Sequence, residues 1–229
     1  MEKKEIHPII LKFADAKFDD HHSETNSQIG KFIVIFEQVQ EWNRTILKQL
    51  LKDNGLSNLI LGEILLHDTT AGALAHYLKA AFYELYHDEL HKKENQKVKS
   101  DIDLLYAKLL KAAALRNDVA HANWKHIMKM NLETKEFDTI WLEPKKFRVQ
   151  KNGLTGIFKT QINLKELKIM NAEIFLLSTF LQKLWFNIKD KCQLNASFNS
   201  DLLKSLTLEI PESDAPSLRN KLYKDDVVI

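Results

Sequence analysis

Apolar positions recur along the chain with helical spacing. Across residues 26–53, Ile29, Phe32, Ile33, Phe36, Val39, Ile46, Leu47 and Leu50 follow one another at three- and four-residue steps, which places them on one face of an amphipathic helix. Asn54-Gly55 then stops the run, because a glycine accepts the left-handed backbone that closes a helix. A shorter apolar stretch over residues 56–66 follows. From Thr69 a second long helix is predicted through Ala73, Leu74, Tyr77, Leu78, Ala81, Phe82 and Leu85. The charged segment 87–100 separates it from a third helix over residues 101–118, with Leu104, Leu105, Leu109 and Ala112 on its apolar side.

The pattern changes near Asn131. Short β-branched or aromatic runs at 137–141, 147–149 and 154–160, set around Asn152-Gly153, predict a hairpin or three-strand excursion over about 137–160. Asn163 is suited to cap a last long helix over residues 164–191, whose buried side is Leu167, Met170, Ile174, Leu177, Phe180, Leu181, Leu184 and Ile188. The fold class that follows is all-α, an up-and-down helical bundle of four or five helices with a small β insertion. The bundle takes residues 26–192. Residues 1–25, polar and ending in Asp19, Asp20, His21, His22 and Ser23, are expected to form an irregular N-terminal arm. Residues 193–229, with Pro211 and Pro216, are expected as a surface tail carrying one short helix at 200–207.

Composition narrows the function. At 229 residues there is room for one generous domain, or one domain with an appendage. Six Gly and four Pro are too few for a turn-dense all-β architecture. With 33 basic against 31 acidic residues, no global field drives the chain onto nucleic acid or anionic lipid, so such binding needs a local patch. A single cysteine, Cys192, excludes an intramolecular disulfide, and no apolar run reaches the length of a membrane span. A soluble cytoplasmic protein with no membrane partner is the expectation. A phosphate-binding glycine loop, a serine nucleophile elbow and kinase signatures are all missing from the sequence.

Polar chemistry concentrates in Leu115-Arg116-Asn117-Asp118-Val119-Ala120-His121-Ala122-Asn123-Trp124. On an unbroken helix Asn117 and His121 share a face, so the Asn117 amide could fix the imidazole tautomer, whereas Arg116 and His121 stand about 140° apart. For Arg116 and His121 to meet one substrate, either the helix ends between them or a second subunit supplies the missing half. An imidazole that titrates near neutrality can take or return a proton, and a guanidinium can stabilise gathering negative charge.

This run resembles the Arg-polar-x3-His signature of the HEPN superfamily of helical-bundle ribonucleases, and its place after two or three long helices and before a β excursion is similar too. The resemblance covers roughly residues 27–191. It implies a metal-independent, homodimeric endoribonuclease of the toxin or phage-defence kind, cutting RNA by 2′-hydroxyl attack, with His121 as acid/base, Arg116 as the cation, Asn117 orienting His121 or binding phosphate, and Asp118 as an accessory group. It also implies an antitoxin or regulatory partner. Members paired with a nucleotidyltransferase antitoxin often carry Tyr two residues after the His, where this chain has Asn123. The alternative within the resemblance is a non-catalytic module that binds RNA, a nucleotide or a partner protein.

RNA contacts are expected from Lys92, Lys93 and Lys97, from Lys125, and from Trp124 stacking on a base. Lys145, Lys146 and Arg148 form a second basic group, and Lys99 extends the first. No metal and no cofactor are expected: His87 and His91 have the spacing of two helical ligands, but Glu89 is third in the run rather than second as in zinc proteases. His21-His22 has no carboxylate or Cys partner at a diagnostic distance for a metal, and His67 and His76 read as surface or boundary residues. Trp42, Tyr77, Phe82, Tyr106 and Trp185 read as core or interface, and Cys192 has no catalytic role.

Overall fold

A proline opens the first helix. Its ring presets φ, and the N–H it lacks is one that a first turn leaves unpaired anyway; α1 runs over Pro8–Asp53. The computed structural model describes residues 8–56, 58–121, 123–130, 137–150, 153–158, 164–190, 198 and 200–209. The irregular arm expected over residues 1–25 is therefore helical from Pro8 onward. The physical reason is that residues 9–29 contain neither glycine nor proline, and polarity without a breaker does not end a helix.

Gly55 terminates α1 in the way the sequence predicts. Its φ is +102°, with Leu56 N–H donating to Leu51 O at 2.9 Å and Gly55 N–H to Lys52 O at 3.2 Å, the paired bonds of a Schellman cap. Helix α2, Leu59–His67, starts on Asn58, whose side chain accepts from the Ile60 and Leu61 amides. Helix α3, Ala71–Leu85, starts on Thr70, whose hydroxyl accepts from Ala73 N–H. A short helix α4, His87–Leu90, and a 3-10 turn, Lys93–Asn95, lead into α5, Gln96–Ala120. Helix α5 begins before the expected residue 101 because Val98 is already buried. Helix α6 is Leu164–Lys189 and α7 is Ser200–Ser205.

Side-chain contacts give the helix directions. Arg44 donates to Leu66 O and Lys48 to Glu63, so α2 runs back along α1. Helices α3 and α5 are antiparallel, since Tyr83 and Lys79 meet Asp103 while His76 meets Tyr106. Helix α6 is parallel to α1, because Glu24 pairs with Lys168, Gln28 with Asn171 and Trp42 with Trp185. With a short connection at 68–70, this is the alternation of an up-and-down bundle whose first and last long helices point the same way.

The core is mainly apolar, centred on Phe32, Phe36, Leu50, Leu74, Phe82, Leu105, Leu167 and Leu181. Every apolar position expected on the buried side of α6 is buried. Tyr77, expected in the core, is 52% exposed instead, because the buried face of α3 is Leu74, Ala75, Leu78 and Phe82. Three polar side chains of α1, Thr25, Gln40 and Asn43, are buried among the described residues, and Asn43 has no hydrogen-bond partner on either amide atom among them.

The chain beyond α6 departs from the expected surface tail. Phe198, Leu203, Leu206 and Leu208 are buried. Lys108 donates to Leu206 O and Lys111 pairs with Glu209, both from α5. From α6, Glu173 accepts from Thr207 N–H and hydroxyl at 2.8 and 2.6 Å and from Leu208 N–H at 3.2 Å. Residues 198–209 thus form a strap across α5 and α6. Its apolar residues are few and spaced among polar ones, which is why the segment reads as surface. Cys192, Pro211 and Pro216 lie outside the described residues.

A second compact unit, separate from the helical one, contains residues 121–166. It holds an antiparallel sheet of order β1-β2-β3, with β1 Asn123–Met130, β2 Phe137–Gln150 and β3 Gly153–Phe158. The excursion thus starts earlier than expected, and the two runs at 137–141 and 147–149 are one strand that passes through Pro144. Among the described residues no helix is long and apolar enough to cross a membrane.

Candidate functional site

The last turns of α5 carry two of the three principal candidates. Ala112, Leu115 and Val119 are buried and fix this end of the helix in the core. Arg116 stands at the rim of that face with its side chain 31% exposed, its Nη2 3.8 Å from Glu37 Oε1 on α1. Because the Glu37 carboxylate is more than half exposed, water and salt screen the pair, and its net contribution is about 0–1 kcal/mol. Asn117 is exposed. Helix α5 ends at Ala120, and His121 lies in the turn beyond it, also exposed. The helix therefore ends between Arg116 and His121, one of the two arrangements the spacing demands. The same point divides the chain: Arg116 and Asn117 belong to the helical unit, His121 to the unit with the sheet.

Within the helical unit, Lys92, Lys93 and Lys97 do not gather around Arg116. Lys92 precedes the 3-10 turn, Lys93 opens it and Lys97 is in the first turn of α5, all exposed. Nineteen residues of helix separate Lys97 from Arg116, about 28 Å along the axis. Lys92 is also engaged by Glu89 at 2.6 Å. Trp124 is half-buried in β1, opposite Pro144, and Lys125 is in register with Glu143. The side chains of Lys125, Lys145, Lys146 and Arg148 lie outside the described residues.

No protein-family model, curated protein or solved structure matches the chain. The site stands on its own geometry.

Sequence reasoning misses two features. One is Glu37, whose meeting with Arg116 is tertiary and leaves no local signal. The other is a polar cluster on the α3–α5 seam. Asp103 receives Lys79 at 2.7 Å and the Tyr83 hydroxyl at 3.0 Å, the Tyr106 hydroxyl meets the His76 ring, and Lys79 lies over the Tyr106 ring, 4.8 Å from its centroid. The i, i+4 recurrence of Lys79 with Tyr83 and of Lys99 with Asp103 is the signal that could have shown it.

Burial, then the hydrogen bond to Asp103 and its charge, push the Tyr83 hydroxyl up to about 12. Burial raises Asp103 as well, but the hydrogen bonds from Lys79 and Tyr83 and the charges of Lys79 and Lys99 outweigh it and hold the carboxyl below its ordinary range. For Tyr83 the neutral form is the one the fold favours. Its contribution is full below the unfolded value near 10 and is lost as pH rises towards 12. In an ultraviolet titration of the five tyrosines, one is expected to ionise last, near pH 12, and to ionise earlier in Asp103→Asn. A Tyr83→Phe chain that retains the late step would refute the assignment.

Proposed function

We propose that the chain is a metal-independent endoribonuclease, in which His121 exchanges the proton of the ribose 2′-hydroxyl and Arg116 binds the attacked phosphate. The observation that carries this reading is the end of α5 itself. Leu115 and Val119 anchor the helix in the core, while Arg116 and Asn117 reach solvent and the helix stops before the exposed His121. A cation and an imidazole acting on one phosphodiester are the equipment that cleavage through a cyclic phosphate requires. Asn117 would orient the imidazole or bind phosphate, with Asp118 as an accessory group. A homodimer, an antitoxin or regulator, and a role as toxin or phage-defence effector are proposed from the resemblance alone; a cytoplasmic location is proposed from the single cysteine.

A second reading is a non-catalytic module that binds RNA, a nucleotide or a partner protein. What favours it is that Glu37 already occupies Arg116 and that Lys92, Lys93 and Lys97 stand at the other end of α5. Incubation of labelled RNA with the chain in excess EDTA separates the two. Products ending in 2′,3′-cyclic phosphate are the expected result. RNA that is retained by the protein but never cut would select the module.

A further inference from the structure

Between α3 and α5 the chain passes through α4, whose first residue is His87 and whose C-terminal cap is His91, with their ring centroids 4.2 Å apart and their planes inclined by 36°. Each Nδ1 faces an atom that can only accept. For His91 it is the backbone carbonyl of His87, at 2.7 Å; for His87 it is Oδ1 of Asp88, at 3.2 Å. Neither acceptor has a proton to give, so Nδ1 carries the hydrogen in both rings, and each neutral imidazole keeps its lone pair on Nε2. Among the described residues neither Nε2 has a hydrogen-bond partner, and both side chains are exposed. Two imidazoles at i and i+4, each with its tautomer fixed by an outer acceptor, are the arrangement from which helices bind metals.

We propose that His87 and His91 form a two-imidazole site for a divalent transition cation of the zinc, nickel and copper class. Nitrogen-only donors select these ions over magnesium and calcium, which prefer oxygen. Among the described residues no third His, Cys or carboxylate is gathered with the pair to make a closed metal site, so water fills the remaining positions and the ion exchanges freely. The site adjoins the start of α5 and is separate from Arg116 near its end. Its effect is local: a four-residue helix is too short to persist by itself, and a cation bridging one turn staples it.

The test is a calorimetric titration of the full chain with zinc chloride at about pH 7.5, in native form and as His87→Gln, His91→Gln and the double substitution. Because chelation needs both rings, each single substitution is expected to weaken the binding step more than about tenfold. Far-UV circular dichroism of these exposed substitutions is expected to show an unchanged helical content. Native chain that releases no binding heat up to millimolar zinc would overturn the proposal. So would a double variant that titrates like native, which would put the ion on other histidines such as His21 and His22, or a step that survives either single substitution intact.

Discussion

Alanine at His121 is expected to lower RNA cleavage in excess EDTA by about 10²–10⁴-fold, the usual worth of a positioned acid/base. His121 is exposed and directly follows the last residue of α5, where a side chain contributes at most about 1 kcal/mol through the helix dipole, so its loss should lower the melting temperature by no more than a few degrees. That pairing of outcomes matters. A scaffold histidine would give the reverse, a lower melting temperature with no change in RNA chemistry. Arg116→Ala is expected to cost about 10²–10³-fold, as for other groups that stabilise transition-state charge, and Arg116→Lys to recover only part, since an ammonium cannot fork onto two phosphate oxygens. Glu37→Gln should tighten RNA binding, because phosphate then no longer competes with a carboxylate 3.8 Å from the guanidinium. Cleavage by His121→Ala at the native rate would remove the proposed chemistry.

The largest stability effect is expected at Phe82. Its ring is fully buried, stacks on Tyr86 at 6.1 Å and meets the edge of Phe198 at 5.9 Å, so it joins α3 to the strap. Truncation to alanine removes the apolar burial and leaves a cavity that the surrounding helices fill only in part, costing about 3–5 kcal/mol. Domains of this kind have about 5–15 kcal/mol in total, so Phe82→Ala should be marginally folded at 37 °C. Phe82→Leu keeps most of the volume and should lose much less. Urea unfolding of the two variants checks this, and a loss below about 1 kcal/mol for alanine would mean that the Phe198 contact does not hold the strap.

The helical period made most of the fold legible. In α6 the apolar stripe runs from Leu167 to Ile188 without a break, and all of it is buried; such a stripe has only one way to face a core. Local chemistry likewise marked the stop at Gly55 and the short helix near Ser200. What the sequence misplaced depends on distant parts of the chain or on weak patterning. The polar residues before Asn26 look irregular because amphipathicity, the signal read, fades there although helix propensity does not. The strap is buried because α5 and α6 offer Lys108, Lys111 and Glu173 to its backbone and to Glu209, and no window of the strap's own sequence contains those partners. The Arg-Asn-x3-His run was visible as chemistry. Its Glu37 partner was not, for the same reason.

The parallel pairing of α1 with α6 also bears on how the chain is made. Asn171 donates to the carbonyl of Gln28, 143 positions away in the sequence, and Lys108 reaches Leu206, 98 positions away. At ribosomal speeds of about 5–20 residues per second, α1 emerges about 7–30 s before the helix that covers it. During that interval the stripe from Phe32 to Leu50 faces the cytosol or a chaperone. The finished bundle is helical, but such separations give it the folding tempo of a non-local topology rather than that of a small helix hairpin. Slow synthesis or a stall within the sheet segment would prolong that exposure and favour aggregation of the nascent chain.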